Sequence, residues 1–377
     1  MNGYIQLPYY VKLGVKMLVF LLAVVLIYFA KGIIVPLYFS FLLSVLLLPV
    51  TNFMERKKIP RIAANLFSII IALLFIAVII YFLSLQITYF LRDVPSIEKH
   101  LSEHYATFQA WMNDKLHISL QQQTVMLQDA TEKIKTTGGF YIGHTFTSLT
   151  QVLFMIVLVS IYSFLMLYYR PMLLSFLFQL FQKNTTIPLQ EILTESKGVV
   201  KNYMTGLLIE MAIVAAANSI ILFCLGIKYC VFLGVFAAML NIIPYIGIFT
   251  GTIFAVLVTL TTSSHTSDIA WIVVSFAIVH FIDSNFLMPR IVGSKVKINA
   301  LITIIGVVAG GTLMGLSGIF LALPTIAILK IIFDRIDGMK HWGMLLGDDI
   351  TGTRKSRIYG QIKKVKPKPK KNVVKVE

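Results

Sequence analysis

The sequence predicts an all-α polytopic membrane protein with about five or six full transmembrane helices, two re-entrant or broken helical hairpins and a small extracytoplasmic helical region. Of its 377 residues, 57% are hydrophobic and 13% are charged, whereas about a quarter of the residues in a soluble domain are charged. A second observation is that the apolar stretches 229–262 and 298–333 are longer than the roughly 20 residues of one crossing, yet too short for two.

The N-terminal region, 1–91, contains three predicted transmembrane helices. The first lies near residues 17–30, the second ends near residue 50, and the third runs from about residue 62 to residue 91. The loop between the second and third is strongly cationic. Because Lys and Arg are enriched in cytoplasmic loops, we expect this loop and the N-terminus in the cytoplasm.

The middle of the chain divides into three predicted segments. Residues 92–148 carry apolar residues at a helical period, which predicts an extracytoplasmic amphipathic region. Residues 149–170 form the fourth transmembrane helix. Residues 171–202 are expected to be a cytoplasmic amphipathic segment.

The predicted transport core, 203–333, is followed by the tail 334–377. The tail is rich in Lys and contains two Pro residues, which predicts a disordered cytoplasmic segment that contacts anionic lipid. The net charge of +16 does not indicate nucleic-acid binding, because no aromatic interleaving or reading motif accompanies the basic residues.

Both long apolar stretches are interrupted near their middle. The sequence NIIPYIG occupies positions 241–247 of the first, and a glycine-rich sequence occupies 310–318 of the second. Backbone groups freed by such a break are tolerated at membrane depth only if they line a cavity or are buried in protein. We therefore expect two helical hairpins, and paired interruptions of this kind indicate a transport pathway.

Loop charge independently predicts that both stretches turn back. The loop 263–268 is not cationic and is expected outside, whereas the loop 289–297 is cationic and is expected inside. The first stretch then begins and ends outside, and the second begins and ends inside. Each follows one full transmembrane helix, so the two units share a plan in opposite orientations, the pattern of an inverted-topology repeat.

Glu210 and Asp283 are the acidic candidates for a transport role. Placing a carboxylate at bilayer depth costs about 2.5–3.5 kcal/mol on insertion scales, so such residues usually face a cavity, a partner or a proton path. The alternative is a carboxylate near the interface that is paired with a base.

Further pathway candidates are polar and backbone-breaking residues near the predicted hairpin tips. At the tips, the alternative is a helix kink whose freed backbone groups hydrogen-bond to neighbouring residues. For an Asn side chain within a helix, the alternative is a role in helix packing. His280 is a candidate relay partner of Asp283. The candidates besides the two acids are Asn241, Pro244, Tyr245, Gly247, Asn285, Gly310, Gly311 and Gly315.

No motif for a cofactor, a metal or catalysis is found in the sequence. His100 and His104 are spaced by four residues, but no further ligand accompanies them. The glycines at 310–318 lack the Lys-Ser/Thr pair of a phosphate-binding loop. We predict no cofactor, no metal site and no enzymatic activity.

Five motifs in a distinctive order now identify a family. They are YMTGLL at 203–208, LGIKY at 225–229, NIIPYIG at 241–247, DSNFLMPRIVG at 283–293, and the glycines from 310 to 318 followed by LP at 323–324. Together they resemble the autoinducer-2 exporter family of bacterial permeases. Asp283 stands where many members have Glu, which keeps the charge on a shorter side chain.

The resemblance implies a multi-pass protein of the bacterial plasma membrane, expected to be a homo-oligomer surrounded by lipid, with both termini cytoplasmic. It implies export of a small molecule such as an autoinducer-2-like signal, driven by an ion or proton gradient. The alternatives are a sodium(lithium)/proton antiporter and a membrane assembly protein that transports nothing.

Overall fold

The computed structural model describes residues 8–92, 150–181, 189–242, 246–262, 267–291, 298–336 and 338–347. These ranges are helical almost throughout, which confirms the all-α class. The predicted extracytoplasmic region 92–148 lies outside the described residues except for Arg92, and so does the basic run after residue 347.

The helices are numbered here in chain order. A π-helical turn, Asp283–Leu287, joins the helix Ser267–Ile282 to the helix Met288–Ile291 without a break. The helices are α1 (Tyr9–Phe29), α2 (Lys31–Arg56), α3 (Arg61–Arg92), α4 (Thr150–Tyr168), α5 (Arg170–Phe181), α6 (Leu189–Cys224), α7 (Cys230–Leu240), α8 (Ile246–Thr262), α9 (Ser267–Ile282), α10 (Met288–Ile291), α11 (Ala300–Met314), α12 (Leu316–Arg335) and α13 (Lys340–Leu346).

Six helices of the described residues are long and apolar enough to cross a membrane: α2, α3, α4, α6, α9 with its π turn, and α12. This confirms a polytopic membrane protein. α3 exposes most of its large apolar side chains, for example Leu74 and Val78, as expected of a helix that faces lipid.

Small polar residues bring α2 against α4. The Ser163 hydroxyl donates to the backbone oxygen of Ser40 at 3.3 Å, and the Ser44 hydroxyl donates to the backbone oxygen of Ser163 at 3.3 Å. All three side chains are buried. Serines permit close backbone approach, and their hydroxyls hydrogen-bond across the helix interface.

α6 organises the C-terminal core. It is an unbroken helix of 36 residues, about 54 Å long at 1.5 Å per residue. Residues 189–202, predicted to belong to a separate amphipathic segment, are instead its first turns. The physical reason is tertiary packing: Ile192 and Val199 bury their side chains against Ala327 and Ile331 of α12.

The first interrupted stretch folds as a hairpin of α7 and α8. A Cβ added to Gly247 would lie 2.0 Å from the backbone oxygen of Leu240, so the chain can turn this tightly only with glycine at that position. One turn further along α8, a Cβ on Gly251 would lie 3.1 Å from the Cβ of Ala237. Gly251 therefore lets α8 approach α7 closely.

The second interrupted stretch folds as a hairpin of α11 and α12. Gly315 at the turn has φ +65°, the left-handed region that favours glycine. The arms touch at Gly310 and Gly318, where a Cβ on either would lie within 2.4 Å of the other's backbone oxygen. The arms are unequal, because α12 reaches full transmembrane length whereas α11 does not.

A further helix, α13, follows α12 within the described residues, which corrects the prediction that the whole of 334–377 is a disordered tail. α13 folds back on the end of α12, where Gly343 lies against Asp334. The backbone N–H of Asn299 donates to the oxygen of Leu346 at 3.0 Å, which fastens α13 to the start of the second hairpin.

Candidate functional site

A small open cavity lies between the first hairpin and the middle of α6 and α9, and its empty space of about 300 Å³ includes the part open to solvent. Its walls are mainly apolar, with a few polar groups, the usual composition of a small-ligand site. The lining residues are Val214, Asn218, Ala237, Asn241, Gly247, Gly251, Thr252, Phe276, Val279, His280 and Asp283.

Asp283 lies in this wall at the first position of the π turn. The backbone N–H of Met288 donates to the oxygen of Asp283, five residues earlier. The turn widens here because the ring of Pro289 would clash with the carbonyl of Asn285 in a regular α-helix. π turns are rare and occur frequently at functional sites. Only 4% of Asp283 is exposed.

The carboxylate of Asp283 is held from the first hairpin. The side-chain amide of Asn241, at the C-terminal end of α7, donates to Asp283 Oδ2 at 2.9 Å. Asp283 Oδ1 accepts no hydrogen bond from the described residues. One oxygen of the buried acid is thus fixed by the hairpin, and the other remains available.

Glu210, in the middle of α6, forms a pair with Asp283. It is 6% exposed, and its carboxylate and that of Asp283 repel each other when both are ionised. Glu210 Oε2 and Asp283 Oδ1 have no hydrogen-bond partner among the described residues. Two buried acids thus influence each other beside the cavity.

Three other polar side chains enter the same wall. The ring of His280 hydrogen-bonds to the Ser284 hydroxyl, with Nε2 at 3.0 Å, so the predicted relay partner lines the cavity but bonds a neighbouring hydroxyl. Asn218 is 4% exposed, and its Oδ1 has no partner among the described residues. Thr252 of α8 also lines the cavity. No motif in the sequence predicts a role for this residue.

Of the sequence-predicted site residues, the structure brings together Glu210, Asn241, Gly247 and Asp283. Asn285 is exposed and donates to the backbone oxygen of Phe281 at 2.8 Å. Pro244 and Tyr245 lie outside the described residues.

The glycines of the second hairpin do not line the cavity. Gly310 packs against Gly318, Gly311 packs against Ile319, and Gly315 has open space around it. Gly310, Gly311 and Gly315, which the sequence predicts as pathway residues, therefore lie apart from this cavity. The second hairpin packs instead on α1, α2 and α6.

Comparison with known proteins gives one family over most of the chain. The family model described as AI-2E family transporter matches residues 17–338. Bacillus subtilis YrrI is 25% identical over 307 residues, which cover 80% of this chain and 86% of YrrI. The Escherichia coli AI-2 transport protein TqsA is 22% identical over 345 residues, which cover 89% and 96%. Escherichia coli PerM is 25% identical over 317 residues, which cover 81% and 88%.

Proposed function

The chain belongs to the AI-2E family of transporters, and we propose that it is a secondary transporter that exports a small molecule through the cavity beside the first hairpin. The candidate substrate class is an autoinducer-2-like signal, since the relative TqsA carries the name AI-2 transport protein. The proposed location is the bacterial plasma membrane, as a homo-oligomer with both termini in the cytoplasm.

The hydrogen bond from Asn241 to Asp283 carries this proposal. It joins the break between α7 and α8 to a buried acid in the π turn after α9. α7 ends at this cavity, and the helix that begins with α9 widens there into its π turn. The chain can move at these two irregular points without the unwinding of a long helix. Loss of this bond would release the hairpin, and a change in the charge of Asp283 is the natural trigger.

Proton coupling follows from the carboxyl pair. In the proposed cycle a proton on one of the two acids removes the repulsion between them, while the Asn241 amide donates to the Asp283 carboxylate. Loss of that proton leaves two like charges that repel. We propose that this repulsion opens the site. Substrate and proton then occupy the site alternately. The C-terminal core moves against the N-terminal helices, which gives alternating access.

A second candidate function is sodium- or lithium-for-proton antiport. The observation that favours it is that three buried oxygens have no hydrogen-bond partner among the described residues: Glu210 Oε2, Asp283 Oδ1 and Asn218 Oδ1. Hard cations prefer carboxylate and amide oxygens. In this version the cation replaces the proton between the acids. Membership in a transporter family argues against the assembly-protein alternative.

The experiment that tests the proposal is flux into proteoliposomes with an imposed pH gradient, measured separately with autoinducer-2, with sodium and with lithium. Asp283→Asn is expected to abolish gradient-driven flux of the true substrate. Asn285→Ala is the control, because Asn285 is exposed and, among the described residues, its side chain donates to the backbone of its own helix. Unchanged flux in Asp283→Asn would refute the proposed site.

A further inference from the structure

Three helix ends meet at one level of the N-terminal bundle. α2 ends at Arg56, and α3 begins at Arg61 after a short turn. The guanidinium group of Arg61 reaches α4, where its Nη2 donates to the backbone oxygen of Leu167 at 2.8 Å. Because Leu167 lies in the last turn of α4, this bond holds the end of α4 beside the loop between α2 and α3. The charge of that loop predicts a cytoplasmic location.

Basic side chains are concentrated at these helix ends. They form a basic cluster of five residues: Arg56, Lys57, Lys58, Arg61 and Arg170, the last of which follows Leu167 by three residues. Glu55 is the one acid in the sequence of α2, this turn, α4 and α5, and its Oε1 lies 3.9 Å from Arg61 Nε. Among the described residues, neither Lys58 nor Arg170 forms an ion pair with an acid. The cluster therefore has positive charge that the nearby protein does not neutralise.

α5 begins at the last residue of the basic cluster, and its apolar side chains are uncovered. None of its 12 residues is buried. Met172, Phe176 and Leu180 recur every four residues and are 59%, 60% and 60% exposed. The polar residues Ser175 and Gln179 lie on one narrow stripe, where their side chains hydrogen-bond to each other at 3.2 Å. A helix that is apolar around most of its circumference requires an apolar partner.

The length and position of α5 indicate that this partner is lipid. Its 12 residues are about 18 Å long, too short for a hydrocarbon core of about 30 Å. It starts at the level of the loop predicted to be cytoplasmic, where an apolar helix can lie in the membrane interface and basic residues are attracted to anionic headgroups. A symmetric contact with a second copy through α5 would instead bring two basic clusters together.

We propose that the basic cluster and α5 together bind an anionic phospholipid of the cytoplasmic leaflet. The headgroup phosphate pairs with the basic cluster through charge-assisted hydrogen bonds, and the acyl chains lie along the exposed apolar face of α5. Arg61 positions this site, because its bond to Leu167 keeps the end of α4 beside the loop. None of the residues of this site lines the cavity, so the inference does not depend on the proposed function.

The test is native mass spectrometry of the full-length protein in detergent. Phosphatidylglycerol is the anionic probe, and phosphatidylcholine with the same acyl chains is the zwitterionic one. Lys58→Gln combined with Arg170→Gln removes two charges of the basic cluster. The matched control is Lys197→Gln combined with Lys201→Gln, which removes two charges from exposed positions of α6.

We expect the wild type to retain phosphatidylglycerol at least tenfold more tightly than phosphatidylcholine, since each basic residue strengthens attraction to an anionic lipid about fivefold. Lys58→Gln/Arg170→Gln should lose this preference, and the control should keep it. Lys57→Gln/Lys58→Gln, in the exposed turn, keeps the test informative if the first variant folds poorly. An unchanged preference in both cluster variants would overturn the site.

The contribution of α5 is tested in the same spectra. Phe176→Ser combined with Leu180→Ser should weaken retention of both lipids and leave the oligomeric mass unchanged. A changed oligomeric mass in this variant would assign α5 to a contact with a second copy and overturn the proposal. Inorganic phosphate should not displace phosphatidylglycerol, because it makes no contact with α5. Displacement by phosphate at the concentration of the lipid would show an anion site only and would also overturn the proposal.

Discussion

The side-chain amide of Asn241 donates a 2.9 Å hydrogen bond to the carboxylate of Asp283, which follows it by 42 residues. Both residues stand where a helix is irregular: α7 ends at Leu240, and the π turn begins at Asp283. A single bond thus connects the tip of the first hairpin to the buried acid of the transmembrane helix beside it.

The first prediction concerns this bond. Asn241→Ala should lower substrate flux at least tenfold with normal membrane insertion, because Asp283 loses the donor that holds its charge. The measurement is flux in proteoliposomes, normalised to inserted protein. Asn241→Asp places a third acid at the pair and should be at least as damaging. Near-normal flux in Asn241→Ala would show that the hairpin does not act through Asp283.

The second prediction concerns proton coupling. Glu210→Gln keeps the shape and hydrogen-bonding capacity of the side chain but cannot release a proton. We expect it to retain substrate exchange across vesicles without a gradient and to lose acceleration by an imposed pH gradient. The two assays are run on the same vesicle preparation. A variant that still responds fully to the gradient would exclude Glu210 from coupling.

The third prediction concerns the contact between the arms of the second hairpin. A Cβ on Gly310 would lie 2.4 Å from the backbone oxygen of Gly318, so Gly310→Ala must push α11 away from α12. Overpacking of this kind costs about 1–3 kcal/mol. We expect a lower thermal unfolding temperature in detergent.

The matched control for this contact is Gly198→Ala. Gly198 lies inside α6 with no atom within 4 Å of an added Cβ. Alanine is favoured over glycine in helix interiors, so the control should unfold at the wild-type temperature or above it. Equal melting of Gly310→Ala and Gly198→Ala would contradict the close approach.

The fourth prediction concerns topology. Ser264 and Ser294 flank the continuous helical segment formed by α9, the π turn and α10, which spans 25 residues. At 1.5 Å per residue it is about 37 Å long, enough to cross the hydrocarbon core. Single cysteines at these positions, in a background lacking Cys224 and Cys230, should react with an impermeant reagent from opposite sides. Labelling of both from one side would overturn the hairpin topology.

Composition and residue pattern were enough to predict much of the molecule. The polytopic helical class follows from a scarcity of charge that no soluble fold of this length would show. The hairpins follow from Pro and Gly inside apolar stretches, because backbone conformation at Gly247 and Gly315 is a local property. Glu210 and Asp283 were found because an acid in an apolar helix is costly wherever it packs.

The relations between distant residues could not be predicted in the same way. The continuity of α6 through residues 189–202 depends on the side chains of α12 that cover Ile192 and Val199. The ordered α13 depends on its contact with Asp334. The glycines of the second hairpin are predicted as pathway residues from the break in an apolar stretch, and the packing of α11 and α12 keeps them apart from the cavity beside the first hairpin.

The sequence by itself determined that this chain is a helical membrane protein with two interrupted hairpins and two buried acids, since length, hydropathy and local backbone preference act within single segments. Only the tertiary structure decided that Asn241 donates to Asp283 and that Glu210 is buried near that carboxylate. Those outcomes depend on which helix faces pack together. Apolar helices have many similar faces, so the sequence of one helix does not determine which of its faces contacts a neighbour. The close packing of the complete bundle determines it.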